Sequence, residues 1–138
     1  MIIMVMDGQG GGIGAEIIKG LRNELDIGLE ILALGTNSSA TSRMMKAGAN
    51  KGATGENAIV ITSQRVDIIM GPLSIIISNS MMGEVTPRMT ESICSSNARK
   101  ILIPLTQENV RIIGISREPL PHLVGQAIKI LKGDASYV

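Results

Sequence analysis

A glycine-rich segment near the start of the chain constrains the fold more than any other feature. It separates an apolar run, 1–6, from a stretch, 15–25, in which apolar residues recur at helical spacing. The segment consists of Gly8, Gln9, Gly10, Gly11, Gly12, Ile13 and Gly14. A buried strand, a turn that tolerates positive φ angles and a helix are therefore predicted in this order.

The same arrangement favours a phosphate-binding loop. Backbone N–H groups at a helix N-terminus attract anions, and glycines let a phosphate come close to the backbone. The dinucleotide-binding fingerprint survives only as Gly10-x-Gly12-x-x-Ala15. The alternative interpretation is a tight turn that merely packs the helix against the strand. We favour binding of an anion or nucleotide through the N–H groups of the loop.

Composition is typical of an α/β protein. The 138 residues are enough for one domain with a single core, and we expect residues 1–138 to form it. Hydrophobic residues make up 44% and aromatic residues 1%, so Ile, Val, Leu and nine Met must fill the core. Aliphatic runs without strict alternation suit strands that are buried on both faces of a parallel sheet.

Charge, hydropathy and cysteine content argue against several partners. The net charge of +1 is dispersed, and the lack of stacking aromatic residues makes nucleic acid an unexpected partner. The apolar run 1–6 is too short for a signal sequence, and no later run has the roughly 18 residues of a membrane span. Cys94 is the only cysteine, so neither a disulfide within the chain nor a thiolate zinc cluster is expected. We expect a cytoplasmic protein without membrane contact.

Strand-like and helix-like segments alternate in the first half of the chain. The predicted strands cover 1–6, 29–34 and 67–70, and the predicted helices cover 13–25, 39–47 and 56–66. Because two helices separate the second and third of these strands, residues 49–54 must cross the sheet as a short strand or extended segment. This crossing would bring Thr54, Gly55 and Glu56 to the rim where the glycine loop lies.

The second half of the chain is less regular. The apolar run 73–77 fits either a strand or a helix, whereas Thr86-Pro87 is typical of a helix start. Only four residues separate a strand over 100–105 from a second apolar run over 110–115, which predicts an antiparallel hairpin at one edge of the sheet. Residues 119–132 form the predicted closing helix. The expected fold is a three-layer α/β domain with a mostly parallel sheet.

Six segments of the sequence carry a resemblance to a known family. They are Asp-Gly-Gln-Gly-Gly-Gly-Ile-Gly at 7–14, Leu-Gly-Thr-Asn at 34–37, Gly-Ala-Thr-Gly-Glu-Asn-Ala at 52–58, Gly-Pro-Leu at 71–73, Asn-Ser-Met-Met-Gly-Glu at 79–84 and Lys-Ile-Leu-Ile-Pro-Leu at 100–105. Together they resemble a small bacterial family known only as a domain of unknown function. The resemblance implies a Rossmann-like domain and supplies no activity, substrate or catalytic residue.

The glycine loop alone resembles the cofactor turn of short-chain dehydrogenases, Gly-x-x-x-Gly-Ile-Gly. That family requires a Tyr with a Lys four residues later, and Tyr137, the only tyrosine, has one residue after it. An NAD site also needs an acidic residue at the end of the second strand, where Gly35-Thr36-Asn37 stand. A complete NAD-dependent oxidoreductase is therefore disfavoured. A nucleotide or dinucleotide ligand stays open, with Arg43 or Lys46 as partners of a 2′-phosphate.

We expect the ligand crevice at the C-terminal ends of the first two strands. The loop N–H groups would hold a phosphate, Thr36 and Asn37 would select the sugar, and the Ser38 hydroxyl would donate to the phosphate. Asp7 has two interpretations. It either accepts hydrogen bonds from the loop and fixes it, which we favour, or holds Mg²⁺ together with Glu56 or Glu84. Residue spacing predicts no metal cluster.

Other residue types that commonly serve catalysis are scarce. We expect His122 at the surface in the first turn of the last helix, and Cys94 on the apolar face of the preceding helix as a small core residue. Neither forms part of a recognisable catalytic set.

Three functions follow from these observations. The first is binding of a phosphorylated small molecule, a nucleotide foremost. The second is a Mg²⁺-assisted enzyme of nucleotide or sugar-phosphate chemistry that uses Asp7 and Glu56. The third is a non-enzymatic domain that self-associates through residues 75–82. A homo-oligomer is expected in each case, because one small domain seldom builds both a nucleotide site and an enclosed substrate site.

Overall fold

Strands and helices alternate along the chain in a computed structural model that describes residues 1–25, 28–106 and 108–135. Tyr137 and Gln107, the second of which the sequence placed in the hairpin turn, lie outside the described residues. The strands are β1 (Ile2–Asp7), β2 (Glu30–Gly35), β3 (Lys51–Thr54), β4 (Ile68–Pro72) and β5 (Arg99–Ile103). The helices are α1 (Gly12–Glu24), α2 (Ser38–Lys46), α3 (Glu56–Ser63), α4 (Pro87–Ser95) and α5 (Leu120–Ala135).

The five strands form one parallel sheet in the order β3-β2-β1-β4-β5. Strand β1 is central, and its Val5 stands opposite Ala33 of β2 and Met70 of β4. The predicted α/β architecture with a parallel sheet is confirmed. The extra crossing of the sheet is the short strand β3, in which Thr54 stands opposite Gly35.

The helices cover both faces of the sheet, and two buried clusters result. The cluster beneath α1, α2 and α5 includes Ile3, Val5, Ile17, Leu21, Met44, Met70 and Val124. The cluster beneath α3 and α4 includes Met4, Met6, Ile59, Ile69, Ile75, Met89 and Ile93. Successive residues of β1 thus point into different cores, which explains why its sequence is apolar without alternation.

The predicted antiparallel hairpin at the edge of the sheet is wrong. Strand β5 ends at Ile103, and residues 110–115 form no strand. After Pro104, which has no N–H to donate, the chain turns towards the segment that follows β4. There Thr106 Oγ1 lies 3.0 Å from Ser74 Oγ, and Glu108 Oε1 accepts a hydrogen bond from Met81 N at 2.8 Å. These contacts direct the chain away from β5 instead of back along it.

The segment after β4, which the sequence left open, begins with a 3-10 helix, Leu73–Ile76, and continues as a series of turns. Ile75 is fully buried, and Ser80 and Met81 are nearly so. Only Met82, at 97% exposure, is a large apolar residue of this segment on the surface. Residues 75–82 therefore pack mostly inside the domain, and the self-association through this segment that the sequence suggested stays a prediction.

Helix α4 begins as predicted, but the burial of one of its residues differs from the prediction. Thr86 Oγ1 accepts a hydrogen bond from Met89 N at 3.2 Å, and Pro87 is the first helical residue. The prediction that Cys94 is a core residue is wrong, because its side chain is exposed. Met89 and Ile93, four residues apart, define the buried stripe, and Cys94 is rotated about 100° away from Ile93 around the helix.

Candidate functional site

A cleft of about 650 Å³ opens at the C-terminal ends of β1, β4 and β5. The glycine loop forms one wall and leads to α1 on one face of the sheet, whereas the segment after β4 leads to α4 on the other face. The two connections diverge at this point, which is where ligands bind in open α/β sheets. The crevice predicted at the ends of β1 and β2 thus lies one strand further along, between β1 and β4.

Asp7 lies at the base of the cleft and holds the glycine loop. The residue is 4% exposed; Oδ1 accepts a hydrogen bond from Gly8 N at 2.8 Å, and Oδ2 accepts one from Gly14 N at 2.7 Å. Burial raises the pKa of Asp7, and this effect outweighs the hydrogen bonds from Gly14, Gly8 and Ile13 and the charge of Arg43, which lower it. The favoured interpretation of Asp7, that it fixes the loop, agrees with these contacts.

Three glycines of the loop are required by neighbouring atoms. A β-carbon on Gly8 would collide with Thr36 Oγ1, and one on Gly14 would lie 2.5 Å from Met44 Sδ. Gly11 has φ +73°, and its β-carbon would lie 2.8 Å from Ala40 Cα. Each of these positions is explained by packing within the domain, with no ligand involved.

The remaining two glycines lie in open space beside an arginine. A β-carbon on Gly10 or Gly12 would meet nothing closer than Arg43 Nη1, at 3.7 and 3.5 Å. Arg43 Nη1 itself donates to Gly10 O at 3.3 Å. Among the described residues no acceptor is found for the N–H groups of Gly10 and Gly12, the second of which is the first residue of α1. These N–H groups and the guanidinium are therefore available to an anion.

Glu84 connects the glycine loop with the end of β2. Its Oε1 accepts hydrogen bonds from Gln9 N at 2.8 Å, Thr36 Oγ1 at 2.6 Å and Asn37 Nδ2 at 2.8 Å. Partial burial raises the pKa of Glu84, but the hydrogen bonds from Thr36, Gln9 and Asn37 together lower it below its usual range. A carboxylate therefore stands beside Thr36 and Asn37, although the sequence has no acidic residue at the end of β2.

Replacing Glu84 by glutamine is expected to lower the free energy of unfolding by about 1 kcal/mol at neutral pH, because hydrogen bonds to a charged acceptor are the stronger ones. Since the pKa of Glu84 is lowered in the folded state, its charge stabilises the fold above the ordinary glutamate pKa of about 4.3. This stabilisation disappears as the pH falls through the folded-state pKa. Urea unfolding from pH 3 to 7 should therefore show wild type and Glu84→Gln converging in acid. The exposed Glu91→Gln serves as the control, and a difference that widens in acid would contradict this role.

The other predicted site residues have partners of their own. Asn37 caps α2 by accepting from Ala40 N at 2.9 Å, and Ser38 is exposed in the first turn of that helix. Thr54 Oγ1 lies 2.7 Å from Thr41 Oγ1, and Glu56 accepts from Thr86 Oγ1 at 2.6 Å. Glu56 thus joins α3 to the start of α4 and makes no contact with Asp7.

No group of three His, Cys, Asp or Glu side chains suited to a metal ion occurs in the described part of the chain. His122 is exposed at the start of α5, as expected. Sequence reasoning missed Thr106 and Glu108, since it placed them in a hairpin turn. The polar residues that begin three positions after the end of β5 were the available signal, because they follow a strand end at the same edge of the sheet.

Six chains from solved structures match the present chain, and one structure among them covers nearly all of it. It is the crystal structure of a dodecameric FMN-dependent Ubix-like decarboxylase from Escherichia coli O157:H7, at 14% sequence identity and a TM-score of 0.47. The alignment covers 95% of the present chain and 75% of that chain. None of the curated proteins matches the sequence. In the described residues, no helix combines the length and apolar character that crossing a membrane requires.

The resemblance seen in the six sequence segments is confirmed by a family match that spans nearly the whole chain. Residues 2–136 match a family described as Domain of unknown function (DUF3842). The match includes the glycine loop, the segment after β4 and helix α5, so every element that forms the cleft lies within it. The chain belongs to the DUF3842 family.

Proposed function

We propose that the cleft binds a phosphorylated small molecule, a nucleotide foremost, with its phosphate against Gly10 and Gly12. The contrast among the five loop glycines supports this proposal. Gly8, Gly11 and Gly14 are required by packing, whereas Gly10 and Gly12 have room for a side chain. Lack of a side chain at these two positions lets a bulky anion reach the backbone.

The electrostatic surroundings of Gly12 suit a phosphate. Gly12 begins α1, so its N–H lies at the positive end of the helix dipole. Arg43 stands beside both glycines and can donate two parallel hydrogen bonds to phosphate oxygens. Asp7 lies deeper, and its two oxygens are turned towards Gly8 N and Gly14 N. The phosphate would therefore occupy the outer side of the loop, beyond the carboxylate.

The sugar of such a ligand would lie further from Thr36 and Asn37 than the sequence suggested. Both side chains donate to Glu84, and neither of them lines the cleft. Their part in the proposed site is to hold Glu84 against Gln9, and so to fix the wall of the loop. Ser38, at the exposed start of α2, remains a proposed donor to an outer phosphate oxygen.

A thermal-shift panel tests the proposal. The probes are ribose 5-phosphate, AMP, FMN and NAD⁺, each with and without Mg²⁺. A bound ligand at one hundred times its Kd stabilises the fold by about 2.7 kcal/mol, which raises the Tm of a chain of this size by several degrees. Arg43→Gln should weaken binding about tenfold or more, as expected when a charged hydrogen-bond donor is lost. Gly12→Val should abolish the shift by filling the site.

The matched control is Arg65→Gln, which removes the same charge from an exposed residue outside the cleft. The proposal is overturned if no phosphorylated probe stabilises the protein, or if both arginine variants bind alike. Binding that requires Mg²⁺ would favour the alternative of a Mg²⁺-assisted enzyme.

A further inference from the structure

We infer that the wall of the cleft opposite the glycine loop receives a flat heteroaromatic ring that belongs to the same ligand as the phosphate. This inference rests on the proposed function and specifies its ligand class. It starts from Met82, which lines the cleft and is 97% exposed. Such a large apolar side chain packs against almost nothing in the domain, although it stands at the mouth of a concave site.

The backbone around Met82 is strained. Met81 and Met82 have φ angles of +55° and +56°, a conformation that side chains larger than Asn or Asp rarely adopt. Strained backbone of this kind persists only where the surrounding structure enforces it, and it is concentrated at ligand sites. In this turn the unfavourable conformation places Met82 at the cleft instead of in the core, where a methionine is ordinarily found.

Two glutamates hold the strained turn, one through its carboxylate and the other through its backbone N–H. Glu108, from the segment after β5, accepts a hydrogen bond from Met81 N at 2.8 Å. Glu84 donates its own N–H to Met81 O at 3.1 Å, while its side chain binds Gln9 N in the glycine loop. The turn that bears Met82 is thus held at a fixed distance from the loop that bears Gly12. A rigid gap of this kind suits a flat group better than a flexible chain.

The chemistry of this wall suits a heteroaromatic ring. Methionine sulfur makes favourable contacts with aromatic rings, and Met82, together with the mostly buried Met81, lines the cleft. Pro72 and Leu105 add apolar surface at the base. Asn79 also lines the cleft, and its side-chain amide can form hydrogen bonds with nitrogen or oxygen atoms at a ring edge. Apolar faces with polar groups at the rim are the features that a base or flavin requires.

Equilibrium titration with ligands that share a phosphate and differ in the ring tests this inference. The probes are ribose 5-phosphate, AMP and FMN, with FMN binding also followed by quenching of its fluorescence. In the wild type we expect AMP or FMN to bind at least tenfold more tightly than ribose 5-phosphate. Met82→Asn keeps the turn, because Asn tolerates positive φ, and should reduce that ratio about three- to tenfold. Ribose 5-phosphate affinity should be unchanged.

Ile113→Asn is the matched control, since Ile113 is 99% exposed and lies outside the cleft. If ribose 5-phosphate binds as tightly as AMP and FMN, the ring site is refuted and the phosphate site stands. If no probe binds, both are refuted. Equal losses in Met82→Asn and Ile113→Asn would refute the part given to Met82. A lower mass of Met82→Asn in light scattering would show that a second copy covers this residue, and would likewise overturn the inference.

Discussion

Alanine at position 11 is expected to lower the free energy of unfolding by about 3 kcal/mol, whereas alanine at position 12 should leave it within about 0.5 kcal/mol. Gly11 has φ +73°, and a β-carbon there would lie 2.8 Å from Ala40 Cα and 3.0 Å from Ala40 O. Backbone atoms of α2 cannot move aside without shifting the helix. Strain at positive φ adds to this overlap. At Gly12 the nearest atom is the end of the flexible Arg43 side chain.

Urea unfolding of Gly11→Ala and Gly12→Ala, measured side by side, checks this expectation. The effect on ligand affinity should be found at the other position: Gly12→Ala should fold normally but bind the phosphorylated probes more weakly than the wild type does. Equal destabilisation of the two variants would mean that Gly12 is also a packing glycine. The contrast on which the proposed phosphate site depends would then be lost.

The order of strands and helices was predictable because aliphatic runs and helix-start signals are local. Runs such as 1–6 and 29–34 have no polar face, so both their sides must be buried, and only a parallel sheet between two helical layers does this. The crossing by β3 followed from counting helices between strands. The path of the chain after β5 was not predictable. Residues 110–115 have the composition of a strand, so the sequence predicts that they pair with β5. Their path depends on contacts of Thr106 and Glu108 with residues about thirty positions away.

The glycine loop was recognised from its sequence, but the partners of its residues were not. Five glycines look alike in a sequence, and only the positions of Ala40, Met44 and Thr36 separate the three that packing requires from the two that it does not. Thr36 and Asn37 were placed at the correct rim because they follow a strand. Their partner Glu84 is 48 residues from Thr36, and no periodicity or spacing connects the two.

Asp7 and Glu84 show how two carboxylates on either side of one loop differ in electrostatic role. Asp7 is enclosed by the domain, so desolvation dominates and its pKa is raised. Glu84 is only partly buried and accepts three hydrogen bonds at one oxygen, so its pKa is lowered. Glu84 therefore stays charged near neutral pH, whereas the charge of Asp7 is held at a cost. An arriving phosphate would increase that cost, and the adjacent Arg43 offsets part of it.

Asp7→Asn is expected to lower the free energy of unfolding by about 2 kcal/mol in acid, because the hydroxyl oxygen of a protonated carboxyl can still accept a hydrogen bond, whereas the amide NH₂ cannot and would face the N–H of Gly8 or Gly14. The pKa of Asp7 is raised in the folded state, so the folded protein binds this proton more tightly than the unfolded chain. The contribution of Asp7 to the free energy of unfolding of the wild type is then greatest below the ordinary aspartate pKa of about 3.9. It falls as the pH rises through the folded-state pKa. The variant lacks this dependence, so its deficit should shrink towards neutral pH, opposite to the behaviour expected for Glu84→Gln.

Urea unfolding of wild type and Asp7→Asn from pH 3 to 8 measures that deficit directly. Asp67→Asn is the control, because Asp67 also accepts a backbone hydrogen bond, from Ile2 N at 2.8 Å, but at the surface. It should change stability by less than about 1 kcal/mol. A deficit in Asp7→Asn that grows with pH would mean that the charged carboxylate, and not its geometry as a double acceptor, is what holds the loop. The loop would then already contain its preferred anion, and a phosphate would have to displace Asp7 in order to bind.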